Sequence, residues 1–96
     1  MNKVTYEERR AAYEAAEQAW GVDAQLTMAV EEMSELTKEI CKMKRGKVDF
    51  EALADEIADV TIMLEQLKLF FALDDMVCEH MDMKIRRLQD RLGGTA

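Results

Sequence analysis

Glu56 falls in the middle of an apolar helical stripe. With successive residues about 100° apart around a helix, Ala52, Leu53, Val60 and Met63 flank it one turn before and after. Asp59 lies at the stripe's edge, three residues on and so beside Glu56, whereas Asp55 and Glu65 point to the polar side as ordinary surface acids. A carboxylate withdrawn from water is costly unless it is protonated, salt-bridged or bound to a metal. Lys84 or Arg87 would supply the salt bridge, and spacing alone leaves metal and salt bridge both open.

A second acidic corner precedes this one. Glu31 and Glu35 are spaced i, i+4, Glu32 and Glu35 i, i+3, and Glu32 adjoins the apolar seam near Leu36 and Met43. Like charges at these spacings destabilise a helix by a few tenths of a kcal/mol per pair. Two such corners on neighbouring helices make sense around a hard divalent cation, and oxygen-only ligands suit Mg²⁺ or Mn²⁺, which also bind phosphates. Without Glu56 beside them, Glu31, Glu35 and Glu39 would read as a solvated face, paired with Lys38 and Lys42 on the same side.

A basic stripe completes the set. His80, Lys84, Arg87 and Arg91 recur at i, i+4, i+7 and i+11, a spacing that could steady a polyphosphate and the charge on a departing pyrophosphate. Arg91 sits where a cation merely offsets a helix dipole, while Lys84 is more central and favours the functional reading. Other chemistries are excluded. A di-iron bundle needs Glu-x-x-His pairs, but the single histidine, His80, has Val77 three residues before it. The chain has no Gly-x-x-x-x-Gly-Lys loop, and one histidine supports no Ser-His or Cys-His triad. The eight methionines fall mostly on apolar stripes, as packing.

Four helices must position these residues. The first is predicted from about Thr5 to Ala19, opened by a capping box in which Glu8 follows Thr5 by three, with Tyr6, Tyr13, Ala16 and Trp20 on one side. Gly21 ends it, and Asp23 is the expected N-cap of the second, which runs to about Arg45 with Leu26, Ala29, Met33, Leu36, Ile40 and Met43 as its stripe. Gly46 and Lys47 turn the chain, and Asp49 caps a third helix over about Phe50 to Ala72, striped by Leu53, Ile57, Val60, Leu64, Leu67 and Phe71. Asp74 or Asp75 starts the fourth, with Val77, Met81, Ile85, Leu88 and Leu92 inward and Gly93 past its end. Short turns imply antiparallel neighbours, so the expected fold is all-α, a four-helix antiparallel bundle in one domain spanning 1–96.

Composition agrees. The chain lacks proline and has four glycines, which favours uninterrupted helices over a turn-rich β fold. A formal net charge of −7 argues against a nucleic-acid partner, though cations can still bridge an acidic protein to a phosphate ligand. The first ten residues carry no apolar run, so no signal peptide is expected. Leu67 to Leu73, the most apolar stretch, is short and interrupted by Lys68, so no membrane span is expected. Cys41 and Cys78 stand far apart without a Cys-x-x-Cys pairing, which suggests free thiols and a cytoplasmic setting. A 96-residue domain buries only about 60–65% of its unfolded surface, a thin margin that oligomerisation would relieve.

The run Val30-Glu31-Glu32-Met33-Ser34-Glu35-Leu36, followed by Asp55-Glu56-Ile57-Ala58-Asp59-Val60, resembles the Glu-Glu-x-x-Glu … Glu-x-x-Asp signature of MazG-like all-α NTP pyrophosphohydrolases. Twenty residues separate Glu35 from Glu56, within the family's range, and the likeness extends from Trp20-Gly21 to Lys84-Ile85-Arg86-Arg87-Leu88. The resemblance implies hydrolysis of an NTP or dNTP between its α- and β-phosphates to the monophosphate and pyrophosphate. It implies Glu32, Glu35, Glu56 and Asp59 as Mg²⁺ ligands, with Glu31 as a second-metal ligand or a partner of the attacking water. Lys84, and with it Arg87 or Lys38, would contact phosphate oxygens, and Trp20 would lie near the nucleobase or else in the core. The family also works as homodimers or homotetramers with composite sites. The competing class is a non-enzymatic helical interaction or regulatory module that keeps the carboxylates around a structural cation, and the intact five-acid motif favours the enzyme.

Overall fold

The computed structural model describes residues 2–93, and these are all-helical, with no strand among them. Four helices run in order: α1 (Tyr6–Trp20), α2 (Val22–Lys44), α3 (Phe50–Phe70) and α4 (Asp74–Arg91). Each begins and ends for a local reason. At the start of α1 the Glu8 amide donates to Thr5 Oγ1 at 3.1 Å, satisfying one of the orphan donors of the first turn. The Ala52 amide does the same to Asp49 Oδ1 at 3.0 Å, so Asp49 caps α3 as expected.

The α1–α2 junction differs from expectation. Gly21, at φ 85°, is the N-cap of α2, and Asp23 lies inside the first turn instead of capping it. A single residue in the left-handed region turns the chain so sharply that the next helix begins at once, and the Asp23 carboxylate then favours the helix N-terminus by its charge. At the far end of α2, Lys47 N–H donates to the Lys42 carbonyl and Gly46 N–H to the Met43 carbonyl, both at 2.9 Å. With Gly46 at φ 83° this is a Schellman ending, which folds the chain back into α3 within five residues. The same pattern stops α3 at Phe70, short of the expected Ala72, because Ala72 takes φ 53° and Leu73 N–H returns to the Lys68 carbonyl at 2.9 Å.

The chain divides into two units, Met1–Gln66 and Leu67–Ala96. The first holds α1, α2 and most of α3. Its buried side chains are Tyr13, Ala29 and Met63, together with the polar Gln25, Glu39 and Gln66. On α2 the inward positions are Gln25, Ala29, Glu32, Leu36, Glu39 and Met43, with steps of four and three alternating; between Ala52 and Gln66 on α3 the buried and half-buried band takes in Ala52, Glu56, Asp59, Met63 and Gln66 together with Leu53, Val60 and Glu65. The seam therefore follows one edge of each expected apolar stripe. Leu26, Met33 and Ile40 on α2 and Ile57 and Leu64 on α3 lie exposed on the other edge, as do Tyr6 and Trp20 on α1.

A polar latch holds α1 to α3. Tyr13 Oη donates to Glu65 Oε1 at 2.5 Å, and Arg9 Nη1 lies 3.5 Å from Glu65 Oε2. Glu65 is thus an interhelical partner, not the free surface acid that its position on the polar side suggested. Burial, and then the bond to Glu65, push the Tyr13 phenol up to about 12, so it remains a donor throughout the physiological range.

In the second unit, α4 carries no buried residue; Met81, Ile85, Leu88 and Leu92 are all exposed, and Val77 is half-buried. Lys68 and Asp74 stand 4.0 Å apart across the α3–α4 turn. Among the described residues no helix is long and apolar enough to cross a membrane.

The latch gives a measurable expectation. Tyr13→Phe keeps the ring but deletes the donor to a charged acceptor, and should cost about 1.5–2 kcal/mol in urea unfolding. A variant within about 0.3 kcal/mol of wild type would mean that water replaces the hydroxyl at Glu65 without loss.

Candidate metal centre

Glu32 from the middle of α2 meets Glu56 and Asp59 from the middle of α3, with one carboxylate oxygen of each within 4.8 Å of the other two. All three side chains are half-buried. Glu56 and Asp59 are placed by helical geometry, three residues apart on one face. Glu32 reaches them because the Schellman turn returns α3 antiparallel along α2. Three formal negative charges in so small a space repel one another, and the pattern of proton affinities shows it. The Glu32 carboxyl is held above its ordinary value first by burial, then by the charge of Asp59 and a hydrogen bond to it, with Glu56 and Glu35 adding smaller effects. Glu56 is raised too, by burial first and then by the charges of Asp59, Asp55, Glu35 and Glu39.

Glu56 Oε2 is buried without a hydrogen-bond partner. A buried acceptor left in this state is a marked cost. The salt-bridge reading of Glu56 thus has no cation at that atom, whereas an oxygen ligand awaiting a hard cation would have just this character.

The remaining expected residues stand around or apart from this cluster. Glu35 is outside it, exposed, with Oε1 3.2 Å from Lys38 Nζ, yet its charge contributes to both raised carboxyls. Glu31 is fully on the exposed side of α2. Lys38 is spent on Glu35, and Trp20, at the end of α1, is 67% exposed, so it is not a core tryptophan. Lys84 and Arg87 lie exposed on α4 in the second unit.

One further acid was assigned wrongly by pattern. Glu39, taken with the solvated face, is 7% exposed and lies 3.5 Å from Lys42. The signal for its burial was available: it stands seven residues from Glu32, at the same seam position. Gln25 and Gln66, at 5% and 6% exposure, share that periodicity and drew no attention because amides carry no charge.

What this arrangement can do follows from its charge. Three half-buried oxygens of one sign can share protons or surround a divalent cation; the all-oxygen donor set matches Mg²⁺ or Mn²⁺ and not a thiolate-seeking metal.

Melting curves distinguish the two fates. A carboxyl whose folded pKa exceeds its unfolded value stabilises the fold fully below the unfolded pKa, and that contribution is lost as pH rises through the folded value. In chelator the melting temperature is therefore expected to fall as pH rises from 4.5 through the raised Glu32 and Glu56 values, and Mg²⁺ should abolish the decline. At neutral pH in chelator, Glu56→Ala should melt at or above wild type, since a costly charge has gone and only a small cavity opposes the gain. It should also show no Mg²⁺-dependent rise. A variant that melts far below wild type in chelator would make Glu56 a structural partner instead.

No known protein family, no curated protein and no solved structure matches this chain, so the meaning of the centre has to come from its own residues.

Proposed function

We propose that this protein is a Mg²⁺-dependent nucleoside triphosphate pyrophosphohydrolase whose metal is held between α2 and α3. The observation that carries the reading is the convergence of Glu32, Glu56 and Asp59 with Glu56 Oε2 unsatisfied. Glu32, Glu56 and Asp59 would hold the ion, and Glu35 would join them by releasing Lys38. A cation there would supply neutralisation of phosphate charge and activation of water. Glu31 either assists a second ion or accepts a proton from the attacking water. Lys38, once free of Glu35, contacts phosphate oxygens, and exposed Trp20 offers a stacking face to the base. The spacing resemblance to MazG-like enzymes supports the same reaction, and exposed Cys41 and Cys78 suit a reducing, cytoplasmic setting.

With a preferred NTP or dNTP and Mg²⁺ or Mn²⁺, the products should be nucleoside monophosphate and pyrophosphate, with labelled water oxygen found in the monophosphate. Chelator should stop the reaction, and added Mg²⁺ should restore it; Ca²⁺ should bind without supporting good turnover, because its looser shell positions water poorly. Diphosphate and orthophosphate as products, or full activity in excess chelator, would refute the assignment.

The active form is, on the same reading, a homodimer or homotetramer in which the helices complete a bundle. Only three apolar side chains are buried among the described residues, while Leu26, Met33, Ile40, Ile57 and Leu64 are each more than a third exposed. Light scattering at micromolar concentration should give at least a dimer; a folded, active monomer would overturn this part.

A further inference from the structure

We infer that α4 pairs in parallel with the α4 of a second copy of this chain, through a seam of Cys78, Met81, Ile85, Leu88 and Leu92. The inference stands apart from the metal centre and rests only on the homo-oligomer proposed above. No residue of α4 is buried in the single chain. Cys78 is exposed, and the four apolar residues that follow it on the stripe are 47–76% exposed.

Their spacing says what covers them. Steps of three and four alternate from Cys78 to Leu92, which confines the five side chains to a stripe about 80° wide. That is narrower than the face a helix turns to a globular core, and it matches the seam presented to one other helix. Cys78, Ile85 and Leu92 take the a positions of a heptad, and Met81 and Leu88 the d positions. A β-branched residue at a beside leucine at d, as at Ile85 and Leu88, favours two parallel strands.

The flanks select the same orientation. Lys84 and Arg91 border the stripe on one side, Asp75, Asp82 and Gln89 on the other. In a parallel pair each flank meets the opposite flank, with Lys84 facing the partner's Gln89 and Val77 the partner's Asp82. An antiparallel pair sets the basic flank against itself, Lys84 near the partner's Arg91, and the acidic flank likewise. Asp74, the d position before Cys78, stands 4.0 Å from Lys68 Nζ, which offsets its charge where the seam begins. A lipid surface is a poorer occupant. The helix carries Lys84, Arg86, Arg87 and Arg91 against Asp74, Asp75, Glu79, Asp82 and Asp90, so it lacks the cationic polar face that anionic lipid attracts. The seam is also too short to hold two chains by itself, and closes between copies already joined through the bare edges of α2 and α3.

The test uses the full chain with Cys41→Ser, which leaves Cys78 as the one thiol. With helix axes about 10 Å apart and Cα atoms about 2.3 Å from each axis, parallel pairing brings Cys78 and the partner's Cys78 within disulfide reach. Antiparallel pairing sends them to opposite ends. With diamide as oxidant and micromolar protein, non-reducing electrophoresis should show a linked dimer. A control, Cys41→Ser/Cys78→Ser/Met83→Cys, carries the thiol on the far side of α4. Cys78 should link at least about tenfold faster than this control, because the seam holds its thiols at roughly millimolar effective concentration. Ile85→Lys in the Cys41→Ser chain, at an exposed position, should stay helical by circular dichroism and lose that advantage. Equal rates for the thiols at 78 and 83 overturn the inference, as does an Ile85→Lys variant that links as fast as its parent. An assembly by light scattering whose Cys78 does not link removes the α4 seam and leaves the oligomer; a monomer removes both.

Discussion

The seam between α2 and α3 has to hold three carboxylates away from bulk water, and most other features of this chain are arranged around that requirement. Glu32, Glu56 and Asp59 occupy positions where a two-helix seam ordinarily places leucine or isoleucine. The seam therefore contributes less apolar burial than its length suggests, and repulsion works against closure. The Tyr13–Glu65–Arg9 latch ties α1 across the pair. The Schellman turn at Gly46 keeps α3 from swinging away, since it commits the backbone within a few residues of the end of α2. Rigid elements on both sides are the usual means of holding ligands that would otherwise part.

Charge distribution sharpens the picture. From Leu67 onward the chain has five basic and five acidic residues, so the whole net charge of −7 belongs to the segment that carries the seam. A local field of that sign concentrates cations around the cluster before any coordination bond forms. The individual charges of Asp55 and Glu35 add to that of Asp59 in raising the proton affinity of Glu56.

Helix ends were legible in the sequence because caps and glycines act locally: Thr5, Asp49, Gly46 and Asp74 each stand where expected. The one misplaced start, at Asp23, came from a glycine that turned the chain faster than a side-chain cap requires. The Glu56–Asp59 pair was legible for the same local reason, two acids one turn apart on an apolar stripe. Which edge of each stripe faces inward was not legible. The stripes of α2 and α3 are broad enough to offer two seams at the same period, one through Leu26, Met33 and Ile40, the other through Gln25, Glu32 and Glu39. Hydropathy favours the first. The structure takes the second on α2, where Gln25 and Glu39 are buried, and burial against other helices is information that no single helix contains.

The depth of the acids within their helices narrows what can neutralise them. Glu32 stands near the centre of α2, and Glu56 and Asp59 near the centre of α3. At a helix N-terminus a carboxylate is stabilised by free backbone amides and the positive end of the dipole. At mid-helix every amide is already bonded to the carbonyl one turn back, and the dipole contributes almost nothing. The backbone thus offers these three groups no donor, and Lys38 and Lys42 of α2 are engaged with Glu35 and Glu39. Protons can satisfy the cluster, as the raised Glu32 and Glu56 carboxyls indicate, but only by surrendering the charge that makes the residues acidic at all. On the proposed reading, a divalent ion would keep all three ionised, match their oxygen chemistry and need nothing from the helices beyond their alignment.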